Sequence, residues 1–476
     1  MRYAHDLVVV GAGSGGYAAA RTAKHFGCNV ALVDHGPLGG LCILRGCMPS
    51  KALLASSDAA YDAREAVALG VGAERVAVDM PFIARRKRGL VKEFADYRID
   101  GIMQFPLYAG AARFLSPTEL AVGDDAVIEA SRFILATGSI VTPATHDGLA
   151  ETGYVDSDAV LELERIPESV VVLGGGYTAC ELGQFLARMG AKTTILIRSD
   201  HLLTGSDDDV GVALTGYFGG EGIEVVTRAG LLRAERRGEK KVVHALVGGA
   251  EREFAADELF YALGRTPNVA GLALENANVD YHPTGGITVD ATLRTTNPEI
   301  FAIGDVSGEY MLVHVAIYQG EIAARNSCLK GAEKADYRLV AAYTVFTDPQ
   351  VAAVGASEKE LQAKGIPYVV GRYDFAEHGK AQCLAKTKGF VKMMADSDGR
   401  ILGAAVIGPQ GSELIHEVIV AMSFESTVAQ FMRIPHLHPT LAEIWTYPAE
   451  LCAAQLGLTA PGDEAMEVAT SVDARR

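Results

Sequence analysis

DLVVVGAGSGGYAAARTAKHFGCNVALVDHG, residues 6–36, reads as strand, glycine turn, helix and second strand. Gly11, Gly13 and Gly16 fill the G-x-G-x-x-G pattern, which lets a backbone approach a pyrophosphate at a helix N-terminus. Asp34 ends the second strand, where a carboxylate can bind ribose hydroxyls. The pattern is weak alone; a strand before it, a helix after it and an acid beyond it make dinucleotide binding the reading. SVVVLGGGYTACELGQFLARMGAKTTILIRSD, residues 169–200, repeats it with Gly174, Gly176 and Ala179. Two such units imply two cofactors. Aligning them on Gly27 and Gly190 sets Asp34 opposite Ile197, so the second unit lacks the acid. Arg198 follows immediately, placed to meet a 2′-phosphate. A second basic residue a few positions on is represented only by His201 and Thr204.

Between the two units stands GGLCILRGCMPSK, residues 39–51, with Cys42 and Cys47 five positions apart. In a regular helix that separation spans about 7.5 Å. A disulfide tolerates at most roughly 7 Å between Cα atoms. A bridge there requires a departure from the ideal helix, which Gly46 permits. The loop it closes is small and strained, which favours a labile redox bond over a staple. Taken alone, the spacing fits two unrelated buried thiols equally well.

With both dinucleotide patterns beside it, this string resembles the segment GGxCxxxGCxPSK of the class I pyridine nucleotide-disulfide oxidoreductases, the family of dihydrolipoamide dehydrogenase, glutathione reductase and mercuric reductase. The resemblance runs through roughly residue 455. It implies an α/β chain with two Rossmann-like domains, for FAD and NAD(P), and a C-terminal α+β dimerisation domain. The expected boundaries are 1–150 for the first part of the FAD domain, 151–270 for the NAD(P) domain and 271–336 for a central segment completing the FAD domain. An interface domain follows at 337–458, then a flexible tail at 459–476.

The same resemblance assigns roles. Cys42 and Cys47 form the redox disulfide, Cys47 the thiolate against the flavin and Cys42 the thiol that attacks substrate. The FAD set is Gly11, Gly13, Gly16, Asp34, Gly40, Lys51, Thr137, Gly138, Gly304 and Asp305, the last on the ribityl chain. The nicotinamide set is Gly174, Gly176, Tyr177 and Arg198, with Tyr177 covering the flavin until nicotinamide displaces it. Glu181 pairs with Lys51, although a solvated Glu181 and a core-packing Tyr177 are the plain alternatives. His438 and Glu443 hold the spacing of the HPTxxE acid-base dyad, reaching in from the partner subunit. One departure is Leu44-Arg45, where many relatives carry Asn-Val. A cation there would favour a thiolate or an anionic substrate, or would be a solvated arginine.

At 476 residues the chain exceeds one ordinary core, so several domains are expected. The net charge of −16 argues against nucleic acid or an anionic membrane as partner. Arg85-Arg86-Lys87-Arg88 is the one basic cluster and reads as a solvated helix face. Cys28, Cys180, Cys328, Cys383 and Cys452 are scattered without framework spacing, so only one pair is special. Strand-like sequence begins by Asp6 and no apolar run would span a bilayer, so the expected location is the cytoplasm.

For the substrate, the ending His436–Glu443 with TVFTDPQVAAVG and GFVKMMAD looks most like dihydrolipoamide dehydrogenase, whereas TILIRSD looks like the NADPH site of glutathione reductase. Without an amino-terminal metal-trapping domain or a terminal cysteine pair, mercuric reductase and the large thioredoxin reductases are disfavoured. The expectation is a homodimeric reductase of a small or lipoyl-type disulfide using FAD and NADPH, with NADH possible. The alternatives are a glutathione reductase-like enzyme, a diaphorase-type reductase of quinones or metal ions, and a redox-sensing binding protein.

Overall fold

The computed structural model describes residues 5–72, 75–124 and 126–458. The tail expected at 459–476 lies outside the described residues. The chain divides into two compact units.

The first comprises Met1–Ser56, Asp79–Ile166 and Phe260–Val340. Its centre is a parallel sheet in the order Ile300–Ala302, Phe133–Leu135, β1 (Leu7–Val10), β2 (Val30–Asp34) and β3 (Leu107–Ala109). The uninterrupted apolar run of β1 follows from burial on both faces. Leu7 and Val9 pack with Leu32, Ala19, Ala23 and Ile322, whereas Val8 and Val10 pack with Phe114, Leu120 and Phe133. Neighbours diverge to either side of β1, so the ends of β1 and Phe133–Leu135 form the switch point at which open α/β sheets bind ligands.

Four helices carry the early chain: α1 (Ser14–His25), α2 (Leu41–Arg45), α3 (Cys47–Glu65) and α4 (Met80–Ile102). Helix α1 packs on the helix Val313–Cys328 through glycine. A Cβ at Gly320 would lie 2.5 Å from the Gly15 carbonyl, and one at Gly15 would lie 2.8 Å from that of Ala316. This contact brings the ends of the two helices together, and Cys28 and Cys328 are disulfide-bonded there, their Cα atoms 6.2 Å apart. The reading of one special cysteine pair therefore needs correction. So does the basic cluster on α4: Lys87 is buried, its ammonium bonded to the Leu161 carbonyl at 2.8 Å and to Glu162. Its stem packs inward while the charge is met by a carboxylate and a carbonyl.

The second unit comprises Ser57–Val78, Pro167–Leu259 and Ala341–Arg476. It holds the strands Ser169–Leu173, Lys192–Leu196 and Glu224–Val226 in parallel register, and an antiparallel five-stranded sheet within Tyr343–Gly408. Buried ion clusters join these pieces. Arg188 binds Glu221, Asp58 and Asp348 at 2.8–2.9 Å. Lys392, also buried, binds Asp207, Asp209 and Glu358, each at 2.8 Å. Removing one partner of such a cluster strands a buried charge, at about 3–5 kcal/mol.

Candidate active site

The first unit contains a cavity of about 600 Å³ whose wall includes Gly11, Gly13, Asp34, Thr137, Gly138, Gly304 and Asp305. Its floor is the first glycine turn. Gly11 sits at φ +103°, and a Cβ there would lie 2.3 Å from the Ala136 carbonyl. A Cβ at Gly16 would lie 1.9 Å from the carbonyl of Gly11. These approaches seat the start of α1 against the strand ends and aim its free N–H groups at the cavity. Asp34 fixes the rim, accepting from Ala12 N–H through one oxygen and Gly36 N–H through the other, both at 2.7 Å. On the far side, Thr137 Oγ1 donates to the Asn268 carbonyl at 2.7 Å. Ser139 Oγ donates to Asp305 at 2.6 Å while accepting from Arg265 Nε at 2.9 Å.

Gly40, at φ +80°, lies on this turn: a Cβ there would come within 2.6 Å of Gly13 Cα. The cysteine segment is thereby held in the cavity wall, which includes both Cys42 and Cys47. Helix α2 stops at Arg45, Gly46 breaks the backbone at φ −133°, ψ −117°, and α3 starts at Cys47. The helix is broken at Gly46, the residue expected to permit a bend if the two cysteines bridge. Cys42 and Cys47 are not disulfide-bonded. The Cys42 thiol is pushed up by its hydrogen bond to Cys47, by burial and by charge on Cys47. Cys47, first residue of α3, lies where the helix dipole favours an anion. Lys51 lies one turn further along α3, on the same face as Cys47.

The cation expected beside the cysteines is a different one. Arg45 pairs with Asp158 at 3.4 Å and is half exposed. The positive charge that opposes the upward shift of Cys42 is Arg98, on α4. Its guanidinium lies 4.9 Å over the Tyr17 ring, and its buried Nη1 has no hydrogen-bond partner. Burial lowers its proton affinity, while Tyr17 and Cys42 raise it.

In the second unit, Gly174 takes φ +118°, and Gly176 caps the helix Tyr177–Arg188 with open space where a Cβ would stand. Tyr177 stacks on Tyr343, ring centroids 5.5 Å apart, and remains partly exposed. Glu181 is buried and accepts the Phe346 N–H at 2.9 Å, so the solvated reading does not hold. Arg198 is exposed just beyond the strand Lys192–Leu196. His201 is buried and engaged with the Leu202 carbonyl at 2.7 Å and Asp208 at 3.0 Å. The second cation near this strand end is instead Arg228, whose N–H reaches the Ser199 carbonyl at 3.0 Å and whose side chain pairs with Asp200.

His438 and Glu443 form a pair, Nδ1 to Oε2 at 3.0 Å, with the imidazole largely exposed and the carboxylate largely buried. The neighbouring His436 is instead buried against Glu417. Behind the dyad stands His378, fully buried, its Nε2 3.6 Å from Glu443 Oε1. Arg98, Arg228 and His378 were not read from the sequence: each lies outside the motifs and takes its meaning from a distant neighbour. Among the described residues no helix is long and apolar enough to cross a membrane.

The family model described as pyridine nucleotide-disulphide oxidoreductase matches residues 5–320, and its dimerisation domain matches residues 341–449. A dihydrolipoyl dehydrogenase of Chlamydia trachomatis serovar D is 35% identical over 95% of this chain and 97% of its own length. A mercuric reductase of Streptomyces lividans is 34% identical over 92% and 94% respectively. An HOCl-induced flavoprotein disulfide reductase from Escherichia coli superposes with a TM-score of 0.83 at 26% identity, over 94% of this chain and 99% of that one. A glycine turn and a cysteine pair sharing one cavity, with matches across nearly the whole length, identify the chain as a member of the pyridine nucleotide-disulphide oxidoreductase family, a flavoprotein oxidoreductase.

Proposed function

We propose that the chain reduces a small disulfide of the lipoyl type with electrons from NADPH, through FAD and the Cys42–Cys47 pair. The observation that carries this reading is the cysteine pair in the wall of the cavity floored by the first glycine turn. The cradle fits FAD: Gly11 and Gly16 leave no room for side chains, and Asp34 and Asp305 offer acceptors for hydroxyls. Bound there, FAD would take a hydride from the nicotinamide and supply two electrons to the cysteines. Lys51, one turn along α3 from Cys47, would lie toward the flavin ring.

Cys42, once its proton is removed, attacks one substrate sulfur and forms a mixed disulfide. The other sulfur is expelled as a thiolate, still tethered in a lipoyl ring, and takes a proton from His438 of the second subunit in a homodimer. Cys47 then attacks Cys42, closing the Cys42–Cys47 bond and expelling the second sulfur as a thiolate that takes up the one proton drawn from solvent. Arg98 stabilises the anion at Cys42. The sum is NADPH, one proton and a disulfide giving NADP⁺ and two thiols. Arg198, exposed one residue beyond Ile197, the counterpart of Asp34, favours the 2′-phosphate of NADPH over NADH.

The test is steady-state oxidation of NADPH and NADH against lipoamide, glutathione disulfide, quinones and Hg(II). Lipoamide with NADPH should give the highest kcat/KM. Faster turnover of Hg(II) would replace the reading with metal-ion reduction, which the Streptomyces lividans relative favours. Anaerobic two-electron reduction should raise a long-wavelength absorbance that Cys47→Ser abolishes and Cys42→Ser makes permanent. A normal band in Cys47→Ser reverses the roles of the two sulfurs.

A further inference from the structure

His378 follows the turn Phe375–Glu377 and starts the helix Gly379–Cys383. Its side chain is fully buried, and neither ring nitrogen has a hydrogen-bond partner. The Phe375 and Tyr447 rings meet it edge-on, at centroid distances of 6.4 and 6.2 Å. Tyr447 is itself stacked on Tyr373, 4.0 Å away. Oε1 of Glu443 lies 3.6 Å from its Nε2, while Oε2 of that carboxylate faces His438 at 3.0 Å. Burial holds His378 neutral, with Glu443 opposing and His438 reinforcing that effect. Besides these two and the Tyr447 ring edge, its chain neighbour Glu377 is exposed.

We propose that His378 is a positioning residue for the dyad, donating its Nε2–H to Glu443 so that the other oxygen stays turned toward His438. The inference rests on reading His438 and Glu443 as the acid-base pair. The present separation exceeds a hydrogen bond; movement of about 0.5 Å closes it. Glu443 then has a donor on each oxygen and remains ionised, and no proton crosses to His378. His438 alone gains and loses the catalytic proton.

The experiment is the pH profile of kcat/KM for disulfide reduction, which needs the His438 imidazolium and falls as pH rises. Without the His378 donor, Glu443 holds that imidazolium less firmly, so the alkaline limb moves to lower pH. In His378→Phe the limb should move by about one pH unit, and kcat should fall about tenfold, with the KM for NADPH unchanged. His378→Gln, which keeps an N–H donor, should restore the limb. His378→Met is the second donorless variant should phenylalanine prevent folding, and ferricyanide reduction reports which variants are folded and flavinated. An unmoved limb in the donorless variants, even with a lower kcat, overturns the proposal. If His438→Gln leaves disulfide turnover intact, the dyad reading itself has failed, and this inference with it.

Discussion

The two glycine turns share a sequence pattern and differ in how closely they are packed. In the first, the Gly11, Gly16 and Gly40 positions would each place a Cβ within 2.6 Å of backbone. In the second, Gly176 faces open space, and alanine already occupies the third fingerprint position at Ala179. A rim acid clamps the first turn through two backbone N–H groups, whereas an exposed arginine stands at the corresponding end of the second. Glycine is used at Gly11 and Gly16 because side chains have no room and at Gly176 to leave a surface clear, while Gly175 of the second turn is crowded too, a Cβ there lying 2.6 Å from Ile197 Cγ2. One arrangement suits a ligand that stays bound, the other a ligand that exchanges.

The strongest way to break this comparison is Gly11→Ala. Its methyl group would meet the Ala136 carbonyl, at a φ that L-residues avoid. The purified variant should lose FAD, read as the ratio of flavin to protein absorbance. Wild-type flavin content would mean that the first turn is not tightly built. Next is Arg198→Ala. A charge-assisted hydrogen bond is worth about 1.5–3 kcal/mol, so the preference for NADPH in kcat/KM should fall on the order of 10- to 100-fold. Arg228, neutralised by Asp200, would have to supply any preference that remains. The smallest effect belongs to Gly176→Ala, whose added methyl touches no protein atom within 4 Å. It should keep FAD and thermal stability, and raise the KM for NADPH by roughly threefold through crowding at the nucleotide. Flavin loss in this variant would sharpen the contrast in the opposite sense, making both turns structural.

The same contrast explains what was legible beforehand. Glycine patterns report local backbone demands, so the strand–turn–helix units could be read from short windows, and Gly46 marked where the helix between Cys42 and Cys47 could bend. Side chains whose partners lie far along the chain could not be read. Lys87 looked like one charge among four until Leu161 and Glu162 met it. His201 looked available for a phosphate until Asp208 and the Leu202 carbonyl engaged both ring nitrogens. Arg45 was conspicuous because it sits inside the motif, yet Arg98, half a hundred positions away, bears on Cys42. His378 carries no motif, and only burial opposite Glu443 distinguishes it.

The bond between Cys28 and Cys328 also has a topological consequence. With its partners 300 positions apart, it closes most of the chain into one covalent ring. The cysteine segment and the whole second glycine turn lie on that ring, whereas the first glycine turn, which precedes Cys28, does not. The antiparallel sheet and the His438–Glu443 pair hang from it as a linear branch. Proteolytic cleavage between the two cysteines should therefore open the ring and release no fragment until a thiol reductant is added. A single cut beyond Cys328 should free the branch at once, so reducing and non-reducing gels of the same digest map every cleavage to ring or branch.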